Sequence, residues 1–291
     1  MRCKPSALSK LGYRIVKLTS GSHSVHSLAH GETFHPVVGP VAEAEALYVQ
    51  QLKLRERVCG CPAEFVVWDI GLGAAANPIT VLRAVQDLPA RLLILSFDET
   101  IEPLRFALQQ TEQLDYLRGY EDPLNQLMTH GSVEFCDHAA QVQWTLHAGD
   151  FPALVLGRAA NAWPKPHAIL FDAYSPARNP AMWTQPLFSR IFELLDPGRP
   201  CAMPTYSRST MLRVSLLLAG FFVGAGHATG EKEETTIAAN TLQLISGPLD
   251  RAWLERVRNS TSAEPLWTPV YRQASPSPAT LAKLYQHPQF R

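Results

Sequence analysis

Residues 65–77 read FVVWDIGLGAAAN, an apolar run that ends in an acid and a glycine-rich turn. The four apolar residues Phe65–Trp68 predict a strand that is buried on both faces. Pro78 follows the turn and suits the first turn of a helix, because the amide hydrogen that proline lacks is not needed there. This strand, turn and helix predict the opening unit of a parallel sheet.

The same alternation of apolar runs and helical patterns continues to residue 244, with a long helix expected at Ile101–Leu117. It predicts a Rossmann-like α/β fold with a largely parallel seven-stranded sheet. The remaining strands are expected at Arg91–Phe97, at a run ending in Leu146–Ala148, and at His167–Phe171, Pro200–Thr205, Phe221–Val223 and Thr235–Leu244.

The chain divides into three predicted parts. Residues 1–55 are an N-terminal extension, in which Tyr13–Lys17 and Ser24–Leu28 predict a β-hairpin and Ala42–Leu54 a helix. Residues 56–250 are the α/β domain. Residues 251–291, rich in Pro and Ser, are expected to be a tail packed on that domain.

Composition and charge narrow the classes of function. Lys and Arg number 26, as do Asp and Glu, so the net charge gives no sign of a nucleic-acid partner. The apolar stretch Val214–Thr229 is too short for a membrane span and is interrupted by glycines. Cys59 and Cys61 have no second pair at ligand spacing, so we expect no metal site. Without a signal peptide, the expected location is cytoplasmic.

Acidic residues stand at the ends of the first three strands of the domain, where ligands of such sheets bind. Asp69 precedes Gly71 and Gly73, which let the backbone turn tightly and approach a ligand closely. Asp98 and Asp150 end the next two strands, where carboxylates can accept from ribose hydroxyls and an adenine amino group. Negative charge at position 69 favours a cationic ligand over a pyrophosphate. The ordered set predicts an S-adenosylmethionine site, with a nicotinamide cofactor as the alternative.

The fourth strand is followed by the most specific motif, FDAYSPARNPAMW at residues 171–183. Its prolines and aromatic residues predict a rigid loop with a stacking platform. Asp172 would face the transferable methyl group, and Tyr174 and Trp183 are candidates to stack a base. Met182 is expected in the core at the entry of the next helix.

These motifs resemble the methyltransferases of the MnmC family, which complete 5-methylaminomethyluridine at the tRNA wobble position. The resemblance extends upstream to GETFHPVVGPVAEAEALYV at residues 31–49 and downstream to TYSRSTMLRVSLLLAGFFV at residues 205–223, and it covers residues 13–240. Many bacteria fuse this methyltransferase to a flavin oxidase. The chain looks like the standalone form, without the FAD oxidase half.

The resemblance implies a class I S-adenosylmethionine-dependent N-methyltransferase that acts on the amine of 5-aminomethyl-(2-thio)uridine. It implies tRNA, through its anticodon loop, as partner, no membrane or metal, and a separate enzyme that supplies the aminomethyl group. Asp172 would be the catalytic residue. The implied cofactor-binding residues are Glu45, Asp69, Gly71, Gly73, Asn77, Asp98, Asp150 and Phe151. The implied substrate-binding residues are Tyr174, Pro176, Arg178, Asn179, Trp183 and Lys232.

Two residues depart from the family's glycine loop, because Ala75 replaces a third glycine and Pro78 a phenylalanine. A methyl group at Ala75 is expected to narrow the pocket or to bar a left-handed backbone conformation. Three alternatives therefore stay open: an aminopropyltransferase or another methyltransferase of small amines, a nicotinamide-dependent oxidoreductase, and a catalytically silent RNA-binding relative.

Overall fold

A computed structural model describes residues 12–229 and 233–291. A central sheet of eight strands crosses the molecule in the order β10-β11-β9-β8-β4-β5-β7-β6. Strands β4, β5, β7, β8 and β9 are parallel, whereas β6, at one edge, and β11 run antiparallel to their neighbours β7 and β9. The strands are β4 Glu64–Ile70, β5 Arg91–Asp98, β6 Ser132–Asp137, β7 Ala140–Ala148, β8 Ala168–Phe171, β9 Ala202–Thr205, β10 Phe222–Gly226 and β11 Thr235–Ala239.

This architecture confirms the predicted Rossmann-like α/β class. The seven expected strands are all present, and β6 is an additional one. It arises from the segment between the second helix and the third strand, where Ser132–Asp137 folds back on β7 as an antiparallel hairpin.

Helices cover both faces of the sheet, as a strand buried on both sides requires. Along β4, Phe65 and Val67 pack into one apolar cluster, whereas Val66 and Trp68 pack into the other. The helices are α1 Pro40–Ala44, α2 Leu54–Cys59, α3 Ala76–Val85, α4 Glu102–Leu108, α5 Glu121–His130, α6 Phe151–Leu156, α7 Gln185–Leu194, α8 Thr210–Ala219, α9 Arg251–Arg258 and α10 Pro278–Gln286. Over the described ranges, none of them has the length and apolar character needed to cross a bilayer.

Two predicted helices differ from the structure. The expected helix Ala42–Leu54 is divided into α1, a π-helical turn at Glu45–Gln50 and α2, with Lys53 in a left-handed conformation. The expected helix Ile101–Leu117 ends as α4 at Leu108, because the polar residues 109–113 offer nothing to bury, and a 3-10 turn follows at Asp115–Leu117.

The C-terminal segment holds two helices that the Pro- and Ser-rich composition did not predict. Asp250 accepts a hydrogen bond from the Trp253 amide and so caps α9, and Ser277 caps α10 by accepting from the Thr280 amide. Such capping residues are favourable because they satisfy amides that have no partner within the helix. The division of the chain at residues 55 and 250 stays a prediction.

A small antiparallel sheet precedes the main one. It consists of β1 Tyr13–Lys17, β2 His23–Ser27 and β3 Glu32–Thr33, in that order. The Tyr13 ring lies 6.0 Å from the ring of Phe106 in α4. The small sheet and the segment that follows it therefore lie against the edge of the main sheet at which β4, β5 and β8 end.

Candidate active site

A cavity of about 500 Å³ lies between the small sheet and the carboxyl ends of the central strands. This is the edge where ligands of open α/β sheets bind. Residues 30–36 of the extension line one side of it. Nine of the sequence-predicted site residues line it together: Gly71, Gly73, Asn77, Asp98, Asp150, Phe151, Asp172, Tyr174 and Asn179.

The glycine loop after β4 connects two strand ends. The Gly73 amide donates to Asp98 Oδ2 at 2.8 Å. Gly71 has a φ of +96°, and a Cβ atom there would lie 2.5 Å from the backbone oxygen of Asp172. Only glycine permits this approach, so Gly71 sets the spacing between the loop and the residue that follows β8.

The expectation for Ala75 was wrong. Ala75 adopts the left-handed conformation despite its side chain, with a φ of 61°, and is completely buried. That conformation costs about 1–2 kcal/mol for a residue with a Cβ atom. The cavity is lined by Ala74 and Ala76 but not by Ala75, so the methyl group does not narrow it.

Two acids lie where an adenosine would be recognised. Asp98 accepts hydrogen bonds from the amides of Gly73 and Thr100. Burial raises the pKa of Asp98, and these hydrogen bonds partly offset that rise. Asp150 caps α6 by accepting from the Ala153 amide, and the ring of the next residue, Phe151, lies 5.1 Å from that of Phe97.

A buried polar cluster surrounds Asp172. Its Oδ2 accepts from Asn77 Nδ2 at 2.8 Å and lies 3.4 Å from His35 Nε2. The other ring nitrogen of His35 lies 3.5 Å from Glu43 Oε1. Burial of His35 opposes its protonation, but the charge of Asp172 and the contact with Glu43 outweigh burial and raise the pKa of His35 to about 9. His35 is therefore an imidazolium at neutral pH, held between two carboxylates.

The ligand atoms of His35, Glu43 and Asp172 lie within 4.8 Å of one another, a spacing that could also hold a metal ion. However, each nitrogen of His35 faces a different carboxylate. An imidazolium that donates to both accounts for this arrangement, since a metal ion would compete with those contacts.

Aromatic side chains form the wall next to Asp172. Tyr174 stacks on His30 with ring centroids 3.9 Å apart and an angle of 15°. Phe34 meets Tyr174 edge to face at 5.7 Å. The Ser175 amide donates to Glu32 Oε2 at 3.1 Å, which attaches the loop to β3. A flat, partly exposed aromatic surface therefore stands beside the acid.

Several predicted residues lie elsewhere. Asp69 is completely buried within β4, which extends two residues beyond the predicted strand end, and its Oδ2 accepts from Ser96 at 2.7 Å. Burial raises the pKa of Asp69 to about 8. Glu45 lies in the π-helical turn and does not line the cavity, whereas Glu43 does. These positions do not support direct contact of Asp69 or Glu45 with a ligand in the cavity.

The loop residues were also partly misplaced. Trp183 was expected to stack a base, but it is completely buried against Phe171, and its indole donates to the Tyr174 backbone oxygen at 2.7 Å. Pro176 and the exposed Arg178 do not line the cavity. Lys232 lies outside the described residues. Met182 is buried as expected, but it also lines the cavity.

Sequence reasoning missed the contribution of the extension. His30, Phe34, His35 and Glu43 line the cavity, as does Tyr206 from the end of β9. The available signal was the stretch GETFHP at residues 31–36, which belongs to the quoted resemblance. Nothing in its spacing indicates that it meets Asp172.

Comparison with known proteins agrees with this geometry. Residues 121–241 match a family model described as S-adenosyl-L-methionine-dependent methyltransferase. The bifunctional tRNA 5-methylaminomethyl-2-thiouridine biosynthesis protein MnmC of Methylibium petroleiphilum is 28% identical over 77% of the chain and 34% of its own length. Its counterpart in Cupriavidus necator is 26% identical over 79% of the chain and 36% of its length. The chain thus spans about a third of the length of the curated relatives it matches.

The crystal structure of MnmC2 from Aquifex aeolicus superposes with a TM-score of 0.68 at 20% identity. The match covers 96% of this chain and 84% of that one, and it shows that the two share a fold.

Fold, cavity and family match together define the chain as a class I S-adenosylmethionine-dependent methyltransferase. Within that class, its sequence and fold are similar to those of the methyltransferase part of MnmC proteins, which confirms the resemblance stated from the sequence.

Proposed function

We propose that the chain methylates the primary amine of 5-aminomethyl-(2-thio)uridine at the wobble position of tRNA, giving 5-methylaminomethyl-(2-thio)uridine. The observation that carries this proposal is that Asp172, anchored by Asn77 and His35, lines the same cavity as Asp98 and Asp150. One site then holds acids for an adenosine and an acid for an amine.

The residues present fit S-adenosylmethionine. Asp98 can accept from the ribose hydroxyls and Asp150 from the adenine amino group. Asn77 lines the cavity with a buried side-chain oxygen that has no protein partner, and this oxygen can accept from the amino group of the methionine. The surplus of carboxylates suits a ligand with a sulfonium and an ammonium group. When bound, S-adenosylmethionine supplies a methyl group that a nucleophile can take from sulfur.

Asp172 is proposed to act on the amine. A carboxylate accepts a hydrogen bond from the amine, aims its lone pair at the methyl group and takes up the proton that the nitrogen must lose. A nitrogen–carbon bond forms as the carbon–sulfur bond breaks. His35 and Asn77 hold the carboxylate in place, so the main contribution to the rate is orientation, for which up to about 7–11 kcal/mol is available in principle.

The wall formed by Tyr174 and Phe34 is proposed to receive the uracil ring, in place of the buried Trp183. Base stacking on an aromatic side chain is worth about 1–3 kcal/mol. The wobble base lies unpaired in the anticodon loop, so moving it into the cavity costs little. A cytoplasmic location and a separate enzyme that supplies the aminomethyl group are part of this proposal.

Product analysis tests the proposal. The purified chain is incubated with methyl-labelled S-adenosylmethionine and tRNA that carries 5-aminomethyl-2-thiouridine, and the digested nucleosides are identified by mass. We expect one added methyl group at the wobble nucleoside and none on tRNA with unmodified uridine there. Cofactor binding without this product would reject the substrate while leaving the methyltransferase class intact.

A further inference from the structure

The C-terminal segment exposes aromatic residues in a way the rest of the chain does not. Among the described residues, three large aromatic side chains are exposed, and all lie between residues 267 and 285. Two of them, Trp267 and Tyr271, are 36% and 41% exposed. Exposed aromatic residues of this size usually mark a binding surface.

Trp267 and Tyr271 belong to one anchored loop, residues 265–273. The Glu264 amide donates to the Ala274 backbone oxygen at 3.0 Å, which closes the loop at its base. The Trp267 indole donates to Glu264 Oε1 at 3.0 Å, and Lys283 Nζ, from α10, lies 5.5 Å from the centroid of the Trp267 ring. These contacts hold the ring in one orientation and place a cation beside it.

The charge of this segment differs from that of the chain as a whole. Residues 251–291 contain six Arg or Lys residues and two Glu residues, a surplus of four positive charges in a chain of zero net charge. Arg272 and Lys283, both exposed, flank the loop aromatics. A local basic surface with interleaved aromatic residues is typical of single-stranded nucleic-acid binding.

The loop begins next to the candidate active site. The Gln185 amide donates to the Leu266 backbone oxygen at 2.8 Å, and Thr184 pairs with Leu266 in a β-bridge. Thr184 directly follows the loop of residues 172–183, whose members Asp172 and Tyr174 line the cavity. A substrate that reaches the cavity can therefore extend across residues 265–273.

We propose that the loop of residues 265–273, together with Lys283, is a binding surface for the unpaired nucleotides of the RNA substrate beside the target base. Trp267 and Tyr271 stack bases, and Arg272 and Lys283 bind phosphates. This inference rests on the proposed function, because it assigns a second contact region to the same substrate.

The test measures the affinity of the full chain for unmodified tRNA, which requires no methyl transfer. Trp267→Ala with Tyr271→Ala is expected to weaken binding at least five-fold per side chain, the low end of the range for stacking. Trp267→Phe with Tyr271→Phe keeps the stacking faces and is expected to retain most of the affinity. Arg272→Gln with Lys283→Gln is expected to reduce the slope of log affinity against log salt by about 1.4–1.8, for two lost phosphate contacts.

The matched control is Arg91→Gln with Arg158→Gln. Arg91 begins β5, at the edge of the sheet opposite the cavity, and Arg158 precedes β8. This control should leave affinity and salt slope unchanged, and every variant should bind S-adenosylmethionine as the wild type does. Unchanged tRNA affinity in the loop variants, or no tRNA binding by the wild type, would overturn the inference and leave the surface for a protein partner. Tight tRNA binding without methylation would instead count against the proposed reaction.

Discussion

Replacing His35 by glutamine tests the buried cluster, because His35 is the cation between Asp172 and Glu43. With a pKa of about 9, His35 holds a proton in the folded protein that it loses near 6.5 in the unfolded chain. Folding is therefore favoured by this proton below pH 6.5, and the benefit is lost as the pH rises through 9.

The size of the effect follows from the same quantities. The difference between a pKa of about 9 and the ordinary value sets a ceiling of about 3 kcal/mol on the free energy of unfolding. A direct Coulomb energy at the 3.4 Å separation is about 5 kcal/mol in an effective dielectric constant of about 20, before the cost of desolvation. We therefore expect His35→Gln to destabilise the protein by about 2–3 kcal/mol at pH 6 and by much less at pH 10.

Urea unfolding at intervals between pH 6 and pH 10 measures this difference. His30→Gln is the matched control, since His30 lies in the same extension but stacks on Tyr174 and is not in contact with Asp172 in the same way. The control should show a small difference from wild type that does not vary with pH. A destabilisation by His35→Gln that is equally large at pH 6 and pH 10 would refute the imidazolium between two carboxylates.

Three further changes test other parts of the site. Asp98→Asn removes a charged acceptor, which is worth about 1.5–3 kcal/mol, so S-adenosylmethionine should bind about ten- to a hundred-fold more weakly by calorimetry; an unchanged affinity would exclude Asp98 from cofactor binding. Gly71→Ala should lower the melting temperature more than Gly119→Ala, because both have positive φ but only Gly71 faces a backbone oxygen; equal effects would mean that the contact is unimportant. Asp69→Asn should flatten the pH dependence of stability between about pH 4 and pH 8, because burial raises the pKa of Asp69 to about 8 and the wild type loses stability as the pH rises through that value. Melting curves that keep the wild-type slope would show that Asp69 does not titrate there.

Much of the sheet could be predicted from the sequence because its signals are local. The apolar run at Phe65–Trp68 and the glycines at 71 and 73 indicate a buried strand and a tight turn without reference to the rest of the chain. Asp98 and Asp172 followed from the same logic, since the carboxyl ends of parallel strands meet at one edge.

The remaining features depend on contacts between distant parts of the chain. The pairing of His35 with Asp172 is created by the docking of the small sheet, which no local pattern specifies. Trp183 belongs to the predicted motif, but its burial depends on its packing against Phe171. The zero net charge likewise concealed the basic character of residues 251–291, because an average over the chain cancels a local surplus.

The most direct test of the account is the single-turnover rate of methyl transfer from bound S-adenosylmethionine to 5-aminomethyl-2-thiouridine tRNA, in the wild type and in Asp172→Asn. Asparagine keeps the size of the side chain but cannot take up a proton. We predict that the rate falls at least a hundred-fold, within the range typical of general bases, while cofactor affinity stays near that of the wild type. A variant that transfers the methyl group within a few-fold of the wild-type rate would contradict the role given to Asp172.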